Sequence, residues 1–202
     1  MRSLRMPLAL LGLLWIGLTC AHGPASETAA AAADTLLLRT ACERTLASLR
    51  PESEPVRRVP VALPAEAGPA LRALRATGMG GRVTVLEESL ERAARLALSD
   101  ARPWLEAATA SGPAASSAAF REAHEPELRA QLAEAASRRL GEAGVPAALE
   151  RVREGASRLP LPRSVDLDLV SLVTDSAAAT FFTALGEEEQ RLRQEREASG
   201  GG

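Results

Sequence analysis

DLDLVSLVTDSAAATFFTALGEEEQRLR, residues 166–193, is the most strongly patterned stretch of this 202-residue chain. At 100° per residue, Leu169, Val170, Val173, Ala177, Phe181, Ala184, Leu185 and Leu192 fall on one broad stripe, the pattern of a helix packed on a core. Leu172 and Phe182 lie off that stripe, which predicts neighbours on more than one side and hence a central position. Ser164 or Asp166 is expected to cap the start, because Pro160 and Pro162 keep the preceding segment extended. Glu187/Arg191 and Glu189/Arg193 are spaced as favourable i,i+4 pairs. Glu188 falls on the apolar stripe, where a carboxylate must either reach water or meet an arginine.

Upstream, the same period recurs. Asp34 is placed to cap a helix running to about Leu49, with Leu37, Leu38, Ala41, Leu46 and Leu49 inward. Residues 51–64 hold four prolines and read as a connector laid across the bundle. A short helix follows from Ala67 to Thr77, with Gly78 as its stop. The next spans Arg82–Ser99, with Val83, Leu86, Leu90, Ala93, Ala94 and Ala97 as its main stripe and Val85 and Leu96 opposite. Asp100 is expected to restart a helix that carries Pro103 in its first turn and Trp104 as an apolar anchor. After a loop at 111–119, a helix is predicted over 120–140, broken at Pro126. A short one from Gly144 ends at Gly155. No period of two is sustained anywhere. The fold class is therefore all-α: a single bundle of six or seven helices over residues 34–196, with a long central helix at its C-terminal end. Residues 197–202, ending in Gly-Gly-Gly, read as a disordered tail.

Arg92 lies beside the second apolar face of its helix, so it is the expected partner for Glu188 in a buried ion pair. The alternative is an Arg92 that lays its methylenes on the surface and keeps its head in water.

Several features together are specific. Val59-Pro60 is followed by Leu63-Pro64, and residues 86–103 carry Ser-Leu-Glu-Arg-Ala-Ala ahead of a proline and an aromatic residue. Gly144-Val145 comes next, then Asp166-Leu167-Asp168-Leu169 with Val173-Thr174, Ala178, Phe182 and Glu187-Glu188-Glu189 in fixed order. In these residues, from Val59 to about Arg193, the chain resembles the bacterial family called domain of unknown function 4197. The resemblance implies an exported, helical envelope protein with no assigned activity. It also marks two departures: the segment before Phe120 is short and Ala/Ser-rich where relatives carry a longer helical insertion, and Ser199-Gly-Gly-Gly202 replaces the usual C-terminal extension.

The N-terminus agrees with export. Arg2 and Arg5 precede an apolar run, Met6–Leu18, and then small residues, as in a signal peptide over residues 1–20. The run is short of the ~20 residues that a transmembrane span requires. Gly17-Leu18-Thr19-Cys20 resembles an imperfect lipobox, which makes Cys20 the candidate lipidation site; ordinary cleavage after Ala21 is the alternative. Residues 21–33, rich in alanine, read as a flexible tether. The expected location is the periplasm of a Gram-negative bacterium, free or anchored to the membrane by lipid. Without Cys20, Cys42 has no intramolecular partner and is expected to be a buried, inert thiol.

Composition narrows the function. Every basic residue is arginine, and loss of the leader leaves 22 arginines against 26 acids, a net charge of −4. Such a surface argues on average against nucleic acid and against simple adsorption to anionic lipid. With three Phe, two Trp and no Tyr, a base- or sugar-stacking platform is not expected. No nucleophile elbow, phosphate loop or dinucleotide fingerprint occurs, so no catalytic residue and no cofactor is assigned. His124 has no second ligand at metal spacing, and His22 lies in the tether, so no metal site is predicted. Asp166 and Asp168 diverge on a helix and read as first-turn acids rather than a catalytic pair. Two readings remain. One is a non-enzymatic envelope module presenting a helical surface to a protein partner; the other is a carrier enclosing an apolar ligand, such as an acyl chain, between alanine-rich helices.

Overall fold

A computed structural model describes residues 24–49, 57–61, 63–64, 68–111, 114–159 and 167–200. Cys20, Ser164, Asp166 and the last two glycines lie outside them. Six helices and no strand occur among the described residues: α1 Pro24–Ser48, α2 Gly68–Ala76, α3 Gly80–Ser111, α4 Ser117–Glu142, α5 Val145–Ser157 and α6 Leu169–Gly200. The all-α expectation holds.

The hub is α3, which touches all five other helices, while α6 packs against α1, α3 and α4. That placement explains why α6 is apolar on two sides. Val173, Ala177, Ala178, Phe181, Phe182, Ala184 and Leu185 are all buried. Phe182 meets the edge of Phe181 at 5.4 Å and carries the Arg121 guanidinium over its ring, also at 5.4 Å. By length and composition α6 could cross a membrane, but its apolar positions are occupied by neighbouring helices. Alanines dominate the crossings: Ala93, Ala94 and Ala97 of α3 and Ala177, Ala178 and Ala184 of α6 are fully buried. Small residues let helix axes approach closely and bury backbone as well as side chain.

Several boundaries differ from the sequence expectation, each for a physical reason. The 21–33 tether is helical from Pro24 onward, ten residues before the expected cap at Asp34. Alanine has the highest helix propensity, and a proline is tolerated in a first turn. Asp34 is then an interior residue that pairs with Arg196. Likewise α6 continues to Gly200, so residues 197–200 of the expected tail are helical. Its cap is Asp168, which accepts from the Ser171 backbone N–H at 3.1 Å and from the Ser171 hydroxyl at 2.7 Å. These bonds hold the Asp168 carboxyl below its ordinary range.

Neither internal proline breaks its helix. Pro103 lies within the 32-residue α3 and Pro126 within α4. Both rings face solvent, and the carbonyls they leave unpaired belong to Ser99 and Glu122, which are exposed and can be hydrated. The buried Leu98, Ala101 and Leu105, and Leu128 and Leu132, hold the opposite faces together. Gly155, expected as a stop, sits inside α5. A Cβ there would stand 2.9 Å from Leu74 Cδ2, so glycine is what permits the close approach of α5 to α2. Gly78 and Gly144 do act as punctuation, both at φ 79°, where a side chain would be strained.

Candidate functional site

Concave surface, rather than a cluster of reactive groups, marks the candidate site. The segment at 57–61 follows the proline-rich connector and lies on the bundle through Val59, which is fully buried and whose N–H donates to Glu91 Oε1 at 3.4 Å. Arg57 pairs with Glu187 at one end of the segment. Between this segment and α6 runs a groove of about 690 Å³. Pro60, Leu172 and Ala179 give it an apolar lining; Ser176, Thr180 and Thr183 add hydroxyls, and Arg58 and Asp175 stand at its rim. Asp175 is fixed by Arg129 of α4, whereas the exposed Arg58 makes no ion pair among the described residues. The α6 contributors recur at helical spacing over three turns on the side away from Ala177 and Phe181. Leu172, singled out in the sequence as lying off the main stripe, is half-buried: it packs against the edge of the core and lines this groove.

The predicted ion pair of Arg92 and Glu188 does not form. Glu188 turns to Arg191 at 2.5 Å, one turn along its own helix, and Arg92 is exposed at the edge of a cleft with Arg95, Leu96 and Glu142. The reason is rotational: the glutamate facing inward is Glu189, only 6% exposed. Its Oε2 accepts from the Ser117 backbone N–H at 2.7 Å, and its Oε1 accepts from Arg193 at 2.6 Å. Burial pushes the Glu189 carboxyl up, but the bonds from Ser117 and the charge of Arg193 outweigh it and leave the group below its ordinary range. Glu189 thus joins α6 to the start of α4, where helix N–H groups lack intrahelical partners. Of the two pairs read from spacing, Glu189/Arg193 forms and Glu187/Arg191 does not, because Glu187 is taken by Arg57.

Other reactive residues are in structural positions. Cys42 is 2% exposed, and its sulfur accepts from the Thr109 hydroxyl at 3.2 Å. Burial raises its pKa more than that bond lowers it, so the thiol stays protonated. His124 lies against Phe120 at 4.6 Å and edge-on to Trp104 at 6.0 Å. Among the described residues, no three His, Cys, Asp or Glu side chains converge as metal ligands do. Asp100 and Arg139 form a two-pronged pair, 2.7 and 2.8 Å, that bolts α3 to α4 and holds the Asp100 carboxyl below its ordinary range.

The groove was only partly legible in the sequence. The proline-rich connector and the displaced Leu172 were visible signals, but their meeting across some 110 residues was not. No sequence signal separated Glu189 from Glu188, since a rotation of 100° decides between them.

The sequence profile described as "Protein of unknown function (DUF4197)" matches residues 26–201. That is nearly the whole chain, α1 included, and extends well beyond the Val59–Arg193 resemblance. The chain therefore belongs to this family. No curated protein and no solved structure matches it.

Proposed function

We propose that this member of the DUF4197 family is a non-enzymatic module of the bacterial cell envelope that docks a protein partner along α6. In this reading residues 1–20 export the chain, and lipidation of Cys20 keeps it at the membrane. The carrying observation is the groove between the 57–61 segment and α6, with its apolar lining and charged rim. Protein interfaces have that composition, an apolar centre with polar groups at the edge that fix orientation. Its rim charge is also asymmetric, with Asp175 neutralised by Arg129 while Arg58 is left for a partner's carboxylate.

The same groove gives the carrier reading a specific basis, because its volume falls within the roughly 300–1,000 Å³ of small-molecule sites. It is open to solvent, however, and an acyl chain lying in it would stay half exposed. An extended or helical segment of a protein needs only one covered face.

A photo-crosslinking residue at Thr180, in the groove, and one at Val85, exposed on α3, separate the readings in intact cells. The docking reading expects one discrete protein adduct from Thr180 that is absent from Val85. A lipid-sized adduct from Thr180 would establish the carrier instead, and identical adducts from both positions would remove the groove from consideration.

A further inference from the structure

The end of the domain built by α2, α5 and the start of α3 differs in charge from everything around it. Residues 68–87 and 145–158 hold six of the chain's 24 arginines but only three of its 26 acids. Two of those acids are already engaged, Glu87 by Arg75 at 2.6 Å and Glu154 by Arg82 at 3.6 Å. Arg72, Arg151 and Arg158 are exposed and make no ion pair among the described residues. Outside this end, twelve of the fourteen described arginines are ion-paired, Arg58 and Arg92 being the exceptions.

Packing at Gly155 draws these arginines together. The bare α-carbon lets α5 press on Leu74 of α2 and on Met79 and Arg82. Arg151 lies one turn before it; Arg158 follows it, donating its backbone N–H to the Gly155 carbonyl at 3.3 Å. Arg82 bridges the elements by donating to the Arg151 carbonyl at 2.7 Å. On α2, Arg72 and Arg75 are exposed and stand one turn apart, about 100° round the helix from the buried Leu71 and Leu74. No acid lies in α2 at all.

We propose that this end of the domain docks on an anionic phospholipid membrane. The net negative charge of the chain does not oppose this, because charges are screened beyond about 8–10 Å at physiological salt and a membrane senses only the face turned to it. Guanidinium groups take phosphates through paired N–H bonds, and a lipid layer offers phosphates at any spacing. It therefore suits arginines that are spread over three elements without a groove to impose register. Residues 68–87 and 145–158 contain no aromatic side chain, so nothing there stacks on a nucleic-acid base. The inference rests on the reading of the chain as an envelope protein, which brings this face within reach of lipid headgroups.

The test is sedimentation of the protein with vesicles of phosphatidylglycerol and phosphatidylcholine, and with vesicles of phosphatidylcholine alone. The readout is the ratio of the two affinities, because apolar insertion of a leader or an acyl group raises both alike; Arg2 and Arg5 of a retained leader favour the anionic vesicles, so the ratio is read on the chain without residues 1–19. Each arginine near such a surface is worth about 1 kcal/mol, or roughly fivefold, so three predict a ratio on the order of a hundred at low salt. That ratio should fall toward one as salt is raised. Arg72→Gln, Arg151→Gln and Arg158→Gln together should collapse it with melting temperature unchanged, while Arg58→Gln with Arg92→Gln should leave it. A wild-type ratio near one overturns the proposal, including the case in which the arginines instead hold an acidic protein. Equal loss in the Arg58/Arg92 variant overturns it as well. The ratio does not depend on where the cell keeps the protein, so this proposal and the export reading can fail separately.

Discussion

The two halves of α6 are held by different physics. From Leu169 to Leu185 the helix is fixed by burial: Val173, Ala177, Ala178, Phe181, Ala184 and Leu185 are fully enclosed by α1, α3 and α4. From Gly186 to Gly200 it is fixed by charge, through contacts that reach three elements: Glu187 to Arg57 of the 57–61 segment, Glu189 to Ser117 of α4, and Glu195 to Arg44 and Arg196 to Asp34 of α1. Burial is non-directional and scales with area, so it sets which face turns inward. Ion pairs at a surface contribute little individually and instead fix where the helix end lies among its neighbours.

The largest effect should therefore come from the first half. Phe181→Ala removes a fully buried ring of α6 and is expected to cost about 3–5 kcal/mol, seen as a drop in the denaturant midpoint. A loss below about 1 kcal/mol would mean that burial is not what holds this half. Next is Glu189→Ala, which strips the Ser117 N–H and Arg193 of their acceptor and should cost about 1–3 kcal/mol. Its amide exchange should rise at the start of α4 and the end of α6, with the first half of α6 unchanged.

The pH dependence sharpens the same contrast. Glu189 and Asp100 both have folded-state pKa values lowered below their ordinary ones. The stability each adds is present above the unfolded carboxylate pKa and is lost as pH falls through the lowered folded value, between about pH 5 and 2. Melting temperature should fall over that window, and less steeply in Glu189→Gln and Asp100→Asn than in the wild type. Equal slopes would show that neither carboxylate is coupled to folding. The smallest effect is expected from Glu195→Gln, which removes a half-exposed pair 3.5 Å from Arg44 and should change stability by under about 0.5 kcal/mol.

That division also explains what the sequence could reveal. The apolar half of α6 announces itself through its period; of the two off-stripe residues, Phe182 is buried beneath Arg121 of α4, whereas Leu172 is only half-buried and lines the groove. Periodicity reports only on the helix that carries it. Whether Glu188 or Glu189 turns inward, and whether Glu187 meets Arg191 or Arg57, depends on where α4 and the 57–61 segment lie, which no local pattern encodes. The same limit applies at Asp100, expected to restart a helix with Pro103 in its first turn, and at Pro126, expected to break one, because tolerance of an interior proline depends on its facing solvent. It applied to Gly155, whose role exists only because Leu74 packs against it. The alanine run before Asp34 differs in kind: its low complexity suggests a tether, but alanine's own helix propensity makes it the first turns of α1. Of the candidate groove, Leu172 and the proline-rich connector were visible separately, but not their meeting.

Both proposals, a protein docked along α6 and a membrane at the α2–α5 end, suppose that the chain leaves the cytoplasm. The direct test is the intact mass of the native protein isolated from cell-envelope and soluble fractions. The account predicts an envelope species whose first residue is Cys20 carrying a diacylglyceryl group. A species beginning at His22 would keep export and remove the anchor. A soluble cytoplasmic species retaining Met1–Thr19 would contradict the account.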